Sequence, residues 1–127
     1  MSARRQAIIS WAVILGTMVL AVGLVLAPRA WQATAGGPVH DVTMKGMHFS
    51  PEVVAVRPGE HVRIRLHNEG RVAHDLTVNG VRSPRVAPGA TAILDVGELE
   101  ESTTGWCTVA GHHQAGMVLY VVVVDAP

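Results

Sequence analysis

A single cysteine, Cys107, occurs among 127 residues. No intramolecular disulfide can form, which excludes the disulfide-stapled scaffolds of small secreted domains. In an exported domain a lone thiol needs another account: buried and inert, cross-linked to a second molecule, or engaged by a metal. Acidic residues are missing from residues 1–37, and all ten lie in 38–127. That second part carries only seven Lys and Arg, a formal charge of −3, and so has no basic excess with which to hold nucleic acid. Glu98, Glu100 and Glu101 form the largest like-charge cluster and read as a solvated loop. There is no internal repeat and no convincing amphipathic helix. About 90 residues suffice for one small domain and leave no room for a second.

What is present begins with Ala7–Ala27, an uncharged run preceded by Arg4 and Arg5 and closed by Pro28 and Arg29. As a helix it would be about 31 Å long, enough to cross a hydrocarbon core. It exceeds the apolar part of a cleavable signal, roughly 7–15 residues. The arginine balance favours an amino terminus in the cytoplasm. Residues 1–31 are therefore expected to be a signal-anchor with one transmembrane helix, 32–38 a flexible linker, and 39–127 the outer domain. The alternative is cleavage near Ala35, where Ala33-Thr34-Ala35 has the A-x-A form. Either way residues 38–127 lie outside the cytoplasm, periplasmic in a two-membrane cell.

Beyond the linker the pattern turns to alternation. Val53–Val56 stops at Arg57-Pro58-Gly59-Glu60, a turn signal. His61–His67 alternates strictly, with Val62, Ile64 and Leu66 on one face and His61 and His67 on the solvated other. His74–Val78 leads into Asn79-Gly80, a hairpin signal. Thr91–Val96 follows another turn, and Met117–Val124 is a β-branched run suited to a central strand. Short strands at this spacing predict an all-β, antiparallel sandwich.

The segment that carries chemistry is Gly105-Trp106-Cys107-Thr108-Val109-Ala110-Gly111-His112-His113-Gln114-Ala115-Gly116-Met117. A thiolate, an imidazole and a thioether lie within eleven residues of one loop, and His74 supplies a second imidazole upstream. Cys, two His and a weak Met are the ligands of a blue-copper centre: soft sulfur suits Cu(I), and imidazole suits both oxidation states. Taken singly, a Cys or Met before a β-branched run is more often core; the set of four carries the reading. Gly111 and Gly116 would let the loop close tightly.

On these residues the chain resembles the cupredoxin family, in its rusticyanin/plastocyanin-like branch. The spacing Cys107-x4-His112-x4-Met117 is that branch's loop. Met47-His48-Phe49-Ser50-Pro51, Val56-x-Pro58-Gly59-Glu60 and His74-Asp75-Leu76 resemble its first strands and first ligand. The likeness covers roughly residues 39–124. It implies a Greek-key β-sandwich with one type 1 copper ion. His74 would be the buried imidazole ligand, Cys107 the short thiolate bond, His112 the ligand whose edge reaches the surface, and Met117 the long axial ligand. The family ligand follows the Gly, so His112 is chosen and His113 is its exposed neighbour. One departure stands out: many cupredoxins have Asn or Ser after the first His, where this chain has Asp75. Its expected partner is Thr108, and an ionised carboxylate there would favour Cu(II) unless neutralised.

The expected function is one-electron transfer between redox partner proteins, without substrate chemistry. Paired His-x-His motifs for a trinuclear oxygen-reducing cluster are missing, and so is the second thiolate of a dinuclear centre. The expected protein is thus not an enzyme, takes no small-molecule substrate and works as a monomer tied to the membrane by its amino-terminal helix. The alternatives are a copper carrier or chaperone, for which Met44, Met47 and His48 would form a second weak site, and a metal-free binding module on a stalk.

Overall fold

The computed structural model describes residues 36–125. The expected transmembrane helix and most of the linker fall outside them. Among the described residues no helix is long and apolar enough to cross a membrane.

The described residues form nine strands: β1 (Val39–Lys45), β2 (His48–Ser50), β3 (Val53–Val56), β4 (Glu60–Asn68), β5 (Thr77–Val78), β6 (Val81–Arg82), β7 (Thr91–Leu99), β8 (Thr103–Trp106) and β9 (Val118–Val123). One sheet has the order β2-β1-β4-β7 and the other β3-β9-β8-β5-β6. The alternation read from β4 is realised: Val62, Ile64 and Leu66 are fully buried. They share one core with Val54 and Val56 of β3, Leu94 and Val96 of β7, and Leu119 and Val121 of β9. Each such side chain taken out of water contributes roughly 1.5–3 kcal/mol, and together they hold the two sheets face to face.

The sandwich is not purely antiparallel as expected. β1 runs parallel to β4, and β3 parallel to β9. The chain leaves the first sheet after β2, adds β3 to the second, and returns as β4, so β1 and β4 lie side by side in the same direction. Such a neighbour needs a crossover connection. Alternation in sequence tells which side of a strand is buried and is silent on which strand lies beside it.

A second correction concerns His74–Val78. Only Thr77 and Val78 join a sheet, while His74 makes an isolated bridge to Val86. Between them the Leu76 N–H donates to Ser83 Oγ at 3.0 Å, and the Ser83 N–H to the Leu76 carbonyl at 2.9 Å. Asn79 and Gly80 make the expected hairpin turn, with φ of 48° and 76°, and join β5 to β6.

The outer face of the four-stranded sheet is polar. His61 and His67 are not simply solvated: His61 pairs with Asp95 at 2.7 Å and His67 with Thr91 at 2.8 Å. Glu98, Glu100 and Glu101 are exposed, as expected, but Glu98 lies in β7 opposite His61 and not in a loop. Met44 is sealed in the core, whereas Met47 and His48 face solvent, which parts the three residues of the supposed second copper site.

Candidate metal centre

Three segments converge at one end of the sandwich. His74 follows β4 and the short Glu69–Ala73 loop, Cys107 directly follows β8, and Met117 precedes β9. The loop between Cys107 and Met117 is folded by its own backbone. The Cys107 N–H donates to the Met117 carbonyl at 3.2 Å and the Met117 N–H to the His112 carbonyl at 3.0 Å. The His112 N–H donates to the Val109 carbonyl at 3.0 Å. Gly111 and Gly116 sit at φ of 82° and 91°, a conformation that side-chain-bearing residues rarely adopt, so both reversals depend on glycine.

The folded loop brings His112 against His74. Their Nδ1 atoms are 3.2 Å apart, and Cys107 Sγ lies 4.0 Å from the first and 3.5 Å from the second. A single point in the plane of these atoms lies about 2.1 Å from all three, within the roughly 2.0–2.3 Å of imidazole and thiolate bonds to a first-row metal. Three donors around one centre make the trigonal His2Cys arrangement of type 1 copper. Met117 is fully buried beside them, its backbone tied to both Cys107 and His112. Among the described residues His74, Cys107 and His112 are the one cluster of such groups able to hold a metal ion. His113 is exposed and stacks on Trp106, ring centroids 5.6 Å apart.

The electrostatics of the donors match a metal taken up by displacement of protons. Burial pushes the Cys107 thiol above its ordinary value, against N–H bonds from Asp75 and Val109. Burial and the neighbouring His112 push His74 down, against the opposing pull of Asp75. At neutral pH His74 is thus a free base ready to ligate, while the thiol keeps its proton until a cation replaces it. Metal binding must release that proton. Copper affinity is therefore expected to rise by about tenfold per pH unit around neutrality, one proton leaving per ion bound. Competition titrations with a chelator of known proton stoichiometry would measure the slope; an affinity independent of pH would show that Cys107 is not a ligand.

Behind the donors sits Asp75, fully buried. Its Oδ1 accepts the Thr108 N–H and its Oδ2 the Thr108 hydroxyl, both at 2.6 Å. The partner expected from sequence is the partner found, and it ties the His74 segment to the Cys107 loop. Two further partners were not legible in sequence. Arg82 reaches Oδ2 through Nη2 at 3.0 Å and Nε at 3.3 Å, and Arg85 through Nε at 3.4 Å. Burial alone would push the carboxyl up, but the bonds from Thr108 and Arg82 outweigh it and hold the group below its ordinary value.

Asn68 was also missed. It is fully buried at the end of β4. Its Nδ2 donates to the Val72 and Val86 carbonyls at 2.8 and 2.9 Å, and its Oδ1 accepts the Gly70 N–H at 2.9 Å. These bonds shape the loop that delivers His74. The Asn68-x-Gly70 spacing was the available signal, since an Asn side chain that bonds two residues ahead makes an Asx-turn.

A two-sheet sandwich that presents His2Cys and a buried Met at one end defines a type 1 copper protein by fold and donor set, and the residues present fit one such ion. The chain belongs to the family of cupredoxin-like domains, whose family model matches residues 16–103. The matched stretch contains His74 and Asp75 and ends before Cys107. No curated protein matches the sequence. Among solved structures the fold is similar to reduced auracyanin from Roseiflexus castenholzii, with a TM-score of 0.61 at 10% identity over 71% of this chain and 99% of that one. It is also similar to auracyanin A, a "blue" copper protein from Chloroflexus aurantiacus, with a TM-score of 0.60 at 18% identity over 70% and 100%. A purple cupredoxin from Nitrosopumilus maritimus gives a TM-score of 0.52 at 17% identity over 67% and 99%. The family expected from sequence is shown; its narrower rusticyanin/plastocyanin-like branch is not supported by these relatives.

Proposed function

We propose that this domain carries single electrons between protein partners through one copper ion held by His74, Cys107, His112 and Met117. The observation that carries the reading is the convergence of two Nδ1 atoms and one Sγ around a common centre. Copper supplies the one-electron Cu(II)/Cu(I) couple when bound. The chain's own residues do the rest. Cys107 and Met117 are fully buried on a hydrogen-bonded loop and His74 is fully buried on a segment bonded to Val86, which keeps water out and holds the donors still. Little then moves when the charge changes by one, so the barrier to transfer stays low. A buried donor set of this kind suits electron carriage.

His112 is the donor nearest solvent, 7% exposed against 0% for the other three. Exposed Ala110, Gly111, Ala115 and Gly116 and half-buried Val109 flank it. A small apolar rim suits a brief contact with a redox partner. The uncharged run Ala7–Ala27 supports the further reading that the domain is held at the outer face of a membrane, near membrane-bound donors and acceptors. Recovery of the full chain in a carbonate-washed membrane pellet would agree with that placement, and its release into the periplasmic extract would show cleavage instead.

Absorption and EPR spectra of the Cu(II)-loaded protein test the copper reading. An intense band near 600 nm with a narrow copper hyperfine splitting is the expected result. A protein that takes up Cu(I) but shows no such band would be a carrier. Replacing His112 with Ala should remove the band or shift it strongly, whereas the same change at His113, whose ring lies outside the cluster on Trp106, should leave it nearly intact. The reverse pattern would place the ligand one residue further along the loop.

A further inference from the structure

Asp75 presents a problem that the copper ligands do not solve. A carboxylate with no exposed surface lies next in sequence to His74, and its backbone N–H donates to the Cys107 sulfur. Its two oxygens clamp Thr108, and an ionised acceptor makes those bonds stronger than a neutral amide could. The gain in rigidity comes with a buried negative charge beside the metal position, and such a charge is costly unless paired. It would also pull the couple toward Cu(II).

The pairing comes from the β5–β6 hairpin. Asn79 and Gly80 turn the chain so that Arg82 lies opposite Thr77 and reaches back to Asp75, and Arg85 follows three residues on. Ser83, bonded at both its N–H and its Oγ to the Leu76 backbone, fixes the hairpin in that position. Three charges then meet at Asp75 Oδ2 and its neighbourhood: one negative and two positive. The guanidinium groups are 54% and 49% exposed, so solvent screens them in part, while the carboxylate they face is not screened at all.

We propose that Arg82 and Arg85 are positioning residues that set the oxidation balance of the copper by cancelling the buried charge of Asp75, an inference that rests on the copper reading of the site. The hairpin thus lets the site use a carboxylate latch without its bias toward Cu(II). Arg82 carries more of the effect than Arg85, because it makes two contacts where Arg85 makes one longer one.

The test is a charge series read by spectroelectrochemistry of the blue band in the copper-loaded protein. The expected order of preference for Cu(I) follows the charge of the cluster. Asp75→Asn stands highest, and wild type lies below it. The triple variant Asp75→Asn/Arg82→Gln/Arg85→Gln is lower again, and Arg82→Gln/Arg85→Gln is lowest. The double arginine variant should shift the Cu(II)/Cu(I) ratio at fixed poise by roughly fivefold toward Cu(II), where tenfold corresponds to about 59 mV for one electron. Arg82→Lys should restore most of the wild-type ratio. If the double variant does not fold, Arg85→Gln alone keeps both Arg82 contacts and should still move the ratio in the same direction. A potential that ignores the series, or one that rises when the arginines are removed, overturns the proposal.

A metal-free measurement separates this proposal from the copper reading. Arg82→Gln should lower the thermal midpoint of the apoprotein clearly in the wild-type background and little in the Asp75→Asn background. Equal losses in both would mean that Arg82 does not act through Asp75. A wild-type protein without a blue band, yet with this coupling intact, would overturn the copper reading and the potential series, and leave the ion pair as a structural device.

Discussion

Replacing Cys107 with Ser is expected to abolish the intense absorption near 600 nm completely, because only a short copper–thiolate bond produces it. The substitution removes no core packing beyond one small buried atom, and the Cys107 N–H still bonds the Met117 carbonyl. The apoprotein should therefore stay folded, with a far-UV spectrum like that of wild type. It should lose high-affinity binding of Cu(I), since two imidazoles and one thioether make a poorer soft-ligand set without the thiolate. A serine hydroxyl holds its proton far more tightly than even the buried thiol and would not give it up to copper, so the copper-linked proton release expected for wild type should disappear with it. A variant that kept the blue band would sink the assignment of Cys107.

Asn68→Ala should have the largest effect on stability. Its side chain is the partner of the Val72 carbonyl and the Gly70 N–H, and it shares the Val86 carbonyl with the His74 N–H. Two groups are left without a partner at about 1–3 kcal/mol each, so a total loss of roughly 3 kcal/mol is expected, a large share of the stability of a small domain, about 5–15 kcal/mol. Urea unfolding of the apoprotein would read it. Copper binding should weaken as well, because the Val86 carbonyl that accepts from Asn68 belongs to the residue whose N–H and C=O also hold the His74 backbone. A loss below about 1 kcal/mol would show that water replaces all three bonds.

The proposed copper donors stood out because their chemistry is rare and local. Three of the four lie within eleven residues, and the spacing of Cys107, His112 and Met117 is set by a loop that closes on its own backbone. His74 was legible only through its resemblance to a family pattern, since nothing in its immediate neighbours distinguishes it from His61 or His67. Those two histidines show the limit of alternation: it placed them on the outer face correctly, yet not against Asp95 and Thr91, which lie more than twenty residues away.

By itself the sequence determined the strand faces, the hairpin at Asn79-Gly80 and the grouping of Cys107, His112 and Met117 in one loop, which follow from periodicity, turn chemistry and residue type, properties of short stretches of chain. His74 and the bond between Asp75 and Thr108 were expected only through the family resemblance, since their partners lie more than thirty residues away. Tertiary structure alone decided the parallel pairing of β1 with β4 and of β3 with β9, because strand neighbours depend on which sheet each connection crosses to. It also decided the role of Asn68 and the meeting of Arg82 and Arg85 with Asp75. An arginine in an exposed hairpin looks the same in sequence whether it faces water or a buried carboxylate. The difference lies in how the β5–β6 hairpin folds back against the His74 segment, and in the cost of leaving the Asp75 charge unpaired once it is buried there.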